Sequence, residues 1–72
     1  MLQSTSAPVA ARYEIRFRSL FKEGRALSFP CDREGHVDLA NANERLRSNY
    51  LFARAMLGRE YAMPIVLERD LH

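Results

Sequence analysis

Leu39, Ala42, Leu46, Tyr50, Ala53 and Leu57 recur at steps of three or four residues. At 100° per residue they fall within an arc of roughly 80°. That spacing demands a helix with one buried stripe and a second layer to bury it against. The expected helix runs from Asp38 to Gly58. Asp38 suits the N-cap, because its carboxylate accepts from the unpaired amides of the first turn. Asn41 with Glu44 offers an alternative start of the capping-box kind. Gly58 suits a left-handed residue at the C-terminal end, and Arg54 and Arg59 complement the negative end of the dipole. A helix of this length spans about 28 Å, enough to cross a small sheet. Phe52 and Met56 widen the stripe on one side, whereas Leu51 and Ala55 lie nearly opposite it. One sheet covers one side of a helix. Leu51 is therefore either singly exposed, as apolar residues often are, or covered by a partner.

The second layer is legible as three alternating runs. From Arg12 to Ser19, Tyr13, Ile15 and Phe17 point one way while Glu14, Arg16 and Arg18 point the other. Aromatic and β-branched residues at period two predict a half-buried strand. Leu20 and Phe21 are expected to tuck under the turn that follows, in which Gly24 supplies positive φ. From Ala26 to Cys31, Leu27, Phe29 and Cys31 share a face, giving an antiparallel hairpin with the first run. Asp32 to Gly35 forms the next turn, and Val37 staples the helix start. Past Gly58, Glu60 to Glu68 predicts a third strand with Tyr61, Met63, Ile65 and Leu67 on the helix side.

Proline orders the sheet. It has no N–H for a ladder and is confined to edges and bulges. Pro30 lies in the second run and Pro64 in the third, so the first run is the expected central strand. The result is an α+β fold: a two-layer ββαβ sandwich with a three-stranded antiparallel sheet of order 2-1-3 and one long helix on one face. A right-handed crossover joins strands 2 and 3. Residues 12–68 form a single domain, with a mobile tail at 1–11 and a frayed end at 69–72. The opposite sheet face is left uncovered. It carries Glu14, Arg16 and Arg18 at its centre, with Ser28, Ala62, Pro64 and Val66 around them.

Length and composition narrow the function. At 72 residues the chain buries a modest core, which favours help from association. One cysteine rules out an internal disulfide and implies no oxidising compartment. No apolar run reaches the ~18 residues of a membrane span, and residues 1–11 lack the basic start and apolar core of a signal peptide. A cytoplasmic protein without membrane contact is expected. A net charge of +2 does not announce a nucleic-acid binder. Of eleven basic residues only Lys22 is lysine. Guanidinium suits phosphate and carboxylate, although a GC-rich coding sequence supplies arginine with no selection for binding.

Chemistry-bearing residues are few. Cys31, Asp32, His36 and Asp38 cluster in sequence, and a Cys–His pair can support nucleophilic catalysis or hold zinc. Tetrahedral zinc needs more thiol and imidazole ligands than one cysteine and two histidines provide, and Cys31 falls on an inward strand face, where a thiol is ordinary core. Three glycines leave no room for a dinucleotide or Walker loop. No catalytic residue, metal or cofactor is expected. Arg16 and Arg18, with Arg12 and Arg25 nearby, are the best nucleic-acid candidates. Single-strand binding also wants exposed aromatic rings, and Tyr13 and Phe17 point inward. Arg16, Arg18, Leu51, Phe52 and Met56 are the candidate contact residues for a protein partner or a second copy.

The stretches P-C-D (30–32), G-H-V-D-L (35–39), R-S-N-Y-L-F-A-R-A (47–55) and G-R-E-Y-A (58–62) resemble a group of short proteobacterial proteins with no assigned activity. The resemblance covers about residues 12–67. It implies a bacterial cytoplasmic setting and carries over no functional residue. A small non-catalytic interaction or self-associating module is the expected function, with weak nucleic-acid binding through the sheet arginines as the alternative.

Overall fold

The computed structural model describes residues 12–69, so the expected N-terminal tail and the last three residues lie outside it. Strand β1 spans Tyr13–Arg18, β2 Ala26–Cys31 and β3 Ile65–Glu68, with helix α1 at Glu44–Ala55. The sheet order is β2-β1-β3, antiparallel throughout. The α+β architecture and strand order expected from the two prolines are what the chain adopts.

Backbone polarity explains why both prolines are tolerated. Ser19 N donates to Arg25 O, and Arg69 N donates to Arg12 O. Alternate pairs exchange bonds in an antiparallel ladder. With the observed registers, residues 65, 67 and 69 therefore turn their amides toward β1, while 64, 66 and 68 face outward. On the other margin 26, 28 and 30 face outward. Pro30 and Pro64 thus sit where no ladder donor is lost.

The core lies under β1. Phe17 is fully buried, and Ile15, Phe29, Cys31, Tyr50 and Ala53 surround it. Three rings meet edge to face: Phe17–Phe29 at 5.9 Å, Phe17–Tyr50 at 6.1 Å and Phe29–Tyr50 at 5.4 Å between centroids. Edge-to-face contact sets the positive rim of one ring against the negative face of another. Tyr50 and Ala53 come from the stripe read in the sequence, and three of its four other members, Leu39, Leu46 and Leu57, pack partly buried against the cluster.

Three expectations need correction. The continuous helix from Asp38 is broken. Leu39–Asn41 forms a 3-10 turn capped by Asp38, Ala42 is extended, and α1 starts afresh behind Asn43. Asn43 Oδ1 accepts from Leu46 N at 2.8 Å, so neither Asp38 nor the Asn41–Glu44 pair caps the α-helix. Asx side chains compete for backbone amides and favour restarts of this kind. Arg47 Nη2 donates to Leu39 O across the break at 3.1 Å. At the other end Met56 is the C-cap, and Gly58 takes its positive φ of 80° two residues later.

The second correction concerns Leu20 and Phe21, which do not tuck under the turn. Ser19 Oγ accepts from Phe21 N at 3.2 Å and Lys22 N at 2.9 Å. The chain bends at this serine turn, and Phe21 is left 75% exposed.

The third correction is a slip in the third strand. Tyr61 stands opposite Ser19, yet Ile65 stands opposite Arg16. Four steps along the third run match three along β1, so Met63 and Pro64 together face the single Phe17. An extra residue reverses every side chain after it. Tyr61 keeps the expected inward side, but Val66 now shares a face with Ile15, while Ile65 and Leu67 join Glu14 and Arg16 on the open face. Met63 and Ile65, expected under the helix, are 77% and 49% exposed.

Candidate functional site

Helix α1 lies on the core face and packs closest to β2. The turn after β2 covers the β3 side instead. Asp32 Oδ1 accepts from Glu34 N at 2.9 Å and His36 N at 2.8 Å, and Asp32 O accepts from Gly35 N. Gly35, at φ 90°, is thereby laid over the sheet so closely that a Cβ there would stand 3.2 Å from Val66 Cγ2 and 3.7 Å from Ile15 Cδ1.

The opposite face is open. Glu14, Arg16 and Arg18 run along its middle, Ile65 and Leu67 border them on β3, and Ser28 borders them on β2. Arg16 is held by Glu14, with Nη2–Oε2 at 2.6 Å and Nε–Oε2 at 3.1 Å. Among the described residues no ion pair engages Arg18 or Arg25. At the hairpin end this face deepens into a concavity of about 900 Å³ lined by Arg16, Arg18, Arg25, Phe21 and Ser28 among others. Three of the four candidate nucleic-acid arginines therefore come together. Arg12 does not, because it stands at the far end of β1, beside Arg69. Phe21 brings one exposed ring to the concavity that period-two reasoning on the strands could not supply.

The candidate protein-contact residues fall into two separate groups. Arg16 and Arg18 lie on the open face. Leu51 and Phe52 lie on α1 and Met56 at its C-cap, across the thickness of the sheet. Leu51 is 52% exposed, and Phe52 leans edge to face on Tyr61 at 6.2 Å. The helix residues thus do not extend the open face. What does extend it is the β3 margin, where Met63, Ile65 and Val66 are exposed beside the outward amides of Val66 and Glu68. Those residues became visible only once the slip before β3 was known.

Cys31 is buried at 4% exposure. Desolvation first, then the negative charges of Asp32 and Glu14, push its thiol above its ordinary value of 9.0. A nucleophilic thiol needs the reverse. His36 is exposed and turns to the acidic turn instead, with Nδ1 3.2 Å from Asp32 Oδ2 and 3.7 Å from Glu34 Oε1. The hydrogen bond from the His36 backbone N–H is the largest cause that holds the Asp32 carboxyl below its ordinary value; desolvation opposes it, and hydrogen bonds from the His36 ring and the Glu34 amide reinforce it. Asp32, Glu34 and His36 bring three ligand atoms within 4.8 Å of one another, all exposed. The turn itself accounts for their convergence.

No family model, curated protein or solved structure matches the chain. No helix among the described residues is long and apolar enough to cross a membrane.

Proposed function

We propose that this chain is a small, non-catalytic protein-interaction module that docks through the open sheet face and the adjoining β3 margin. The observation that carries the reading is Ile65, half exposed beside Arg16 at a strand margin whose outer amides have no backbone partner among the described residues. Natural edge strands are commonly guarded by charge or cover, and an apolar residue at such a margin invites another chain. The buried thiol of Cys31 argues against nucleophilic chemistry, which supports a binding role rather than a catalytic one. The test compares capture by the wild-type chain and Ile65→Lys from the native host, alongside light scattering of both. The reading expects a bound protein, or self-association, that the substitution removes. A chain that stays monomeric and loses no captured protein on substitution contradicts it.

A second reading rests on the concavity. Arg18 and Arg25, with Phe21 at their side, offer charge and one stacking surface to a single-stranded nucleic acid. Binding through them weakens steeply with salt. A fluorescence titration with mixed oligonucleotides at low salt tests it: no anisotropy change, or a change that survives in Arg18→Ala/Arg25→Ala, removes this reading.

A further inference from the structure

We infer that the occupant of the β3 margin is a second copy of this chain, paired strand to strand about a two-fold axis through Val66. The inference rests on the interaction-module reading and specifies its partner.

The outward edge of β3 offers two amide donors, Val66 and Glu68, since Pro64 has none. A two-fold axis normal to the sheet sets β3 antiparallel to its own copy and extends the sheet to six strands. Two registers use both donors. In the first, centred on Val66, Val66 exchanges a pair of bonds with Val66 of the partner subunit. Glu68 N then donates to the carbonyl of the partner subunit's Pro64, and the reverse. The missing proline donor costs nothing in this arrangement except a Glu68 carbonyl left to water at the strand end. In the second, centred on Leu67, Val66 and Glu68 exchange bonds with Glu68 and Val66 of the partner subunit.

Side chains choose between them. Residues directly opposite share a face and form the unit of sheet stabilisation. Centring on Val66 sets Val66 against itself on the core face. On the open face it sets Ile65 against Leu67 of the partner subunit, and Leu67 against the partner's Ile65. The three central pairs are apolar, Pro64 against Glu68 closes each end, and the half-exposed Ile65 is covered. Centring on Leu67 keeps one apolar pair, Leu67 against itself, but sets Val66 against Glu68 and Ile65 against Arg69. The Val66 register is therefore the one the sequence fits. It also joins the two open faces into one surface, with Arg16 and Arg18 of each copy flanking a shared apolar seam. A four-residue edge makes a small interface, so a reversible dimer in the upper micromolar range is expected.

Sedimentation velocity of the purified chain over roughly 10 μM to 1 mM spans that range of affinity, and disulfide trapping tests the register. In an antiparallel bonded pair the Cα atoms are about 5.5 Å apart, within disulfide reach. In the Val66 register the two Leu67 Cα atoms are offset by two residues, about 8 Å apart, and out of reach. Under mild oxidation Val66→Cys is expected to form covalent dimer at least about tenfold faster than Leu67→Cys, the native Cys31 being buried in both. Ile65→Lys, at an exposed site that tolerates charge, is expected to abolish association. Equal trapping rates, faster trapping of Leu67→Cys, or a dimer that Ile65→Lys leaves intact overturns the inference. So does a strict monomer at the highest concentration. If that monomer still captures a host protein that Ile65→Lys releases, the second copy is refuted while the interaction-module reading stands.

Discussion

Replacing Phe17 by leucine removes the ring on which the helix and the sheet both close. Phe17 is fully buried and touches two other rings edge to face, at 5.9 and 6.1 Å between centroids. Each such pair is worth about 0.5–1.5 kcal/mol beyond its buried area. Leucine keeps most of the hydrophobic transfer but loses both pairs, so the cost is about 1–3 kcal/mol. With 58 described residues (12 to 69), the whole domain is expected to be stable by only about 3–9 kcal/mol. Urea unfolding followed by circular dichroism reads the change. At a slope near 1 kcal/mol/M the midpoint falls by about 1–3 M. Leu51→Ala, on the outer side of the helix, is the control and is expected to stay within about 0.5 kcal/mol. A Phe17→Leu loss no larger than that of the control refutes the aromatic cluster as the bond between the layers.

Further expected outcomes concern the helix start, Gly35 and Cys31. Asn43→Ala removes the acceptor for Leu46 N and should cost about 1 kcal/mol in urea unfolding, while Asp38→Ala, which caps only the 3-10 turn, should cost less. The reverse order indicates a helix that starts at Asp38. Gly35→Ala combines a φ of 90° with a Cβ 3.2 Å from Val66 Cγ2, so a loss of at least about 1 kcal/mol is expected, only partly recovered by adding Val66→Ala. Full recovery points to the contact alone and away from backbone strain. Cys31 binds its proton more tightly folded than unfolded. Its contribution is complete below the ordinary value of 9.0 and is lost as pH rises from there through the higher folded value. The wild type should lose stability above pH 9 faster than Cys31→Ala, and iodoacetamide should label Cys31 slowly until urea unfolds the chain; rapid labelling of the native chain contradicts its burial.

Much of the fold was written locally. The period-two runs of β1 and β2 and the stripe on α1 stated which side chains turn inward, and Ile15, Phe17, Phe29, Cys31, Tyr50 and Ala53 are the buried set. The prolines gave the strand order because a missing donor has one permitted orientation in a ladder. What escaped sequence reasoning was punctuation: where the α-helix starts and where the third run gains a residue. Asp38, Asn41 and Asn43 are all competent caps, and only tertiary contacts decide which one the α-helix uses. The third run alternates on paper from Tyr61 to Leu67. Nothing in the pattern marks the residue inserted between Ala62 and Ile65 except Pro64, which permits a bulge without requiring one. That slip moved Ile65 and Leu67 to the open face, and with them the candidate surface. Phe21 escaped for a similar reason: the serine turn at Ser19 redirects a backbone that hydrophobicity alone would have buried.

The reversal of β3 is the claim on which the surface and its partner depend. Nuclear Overhauser contacts from the Gly35 α-protons test it most directly. With Val66 turned inward, cross-peaks join Gly35 to the methyls of both Val66 and Ile15. Cross-peaks from Gly35 to the methyls of Ile65 or Leu67, with Val66 silent, would restore unbroken alternation in the third strand and contradict the account.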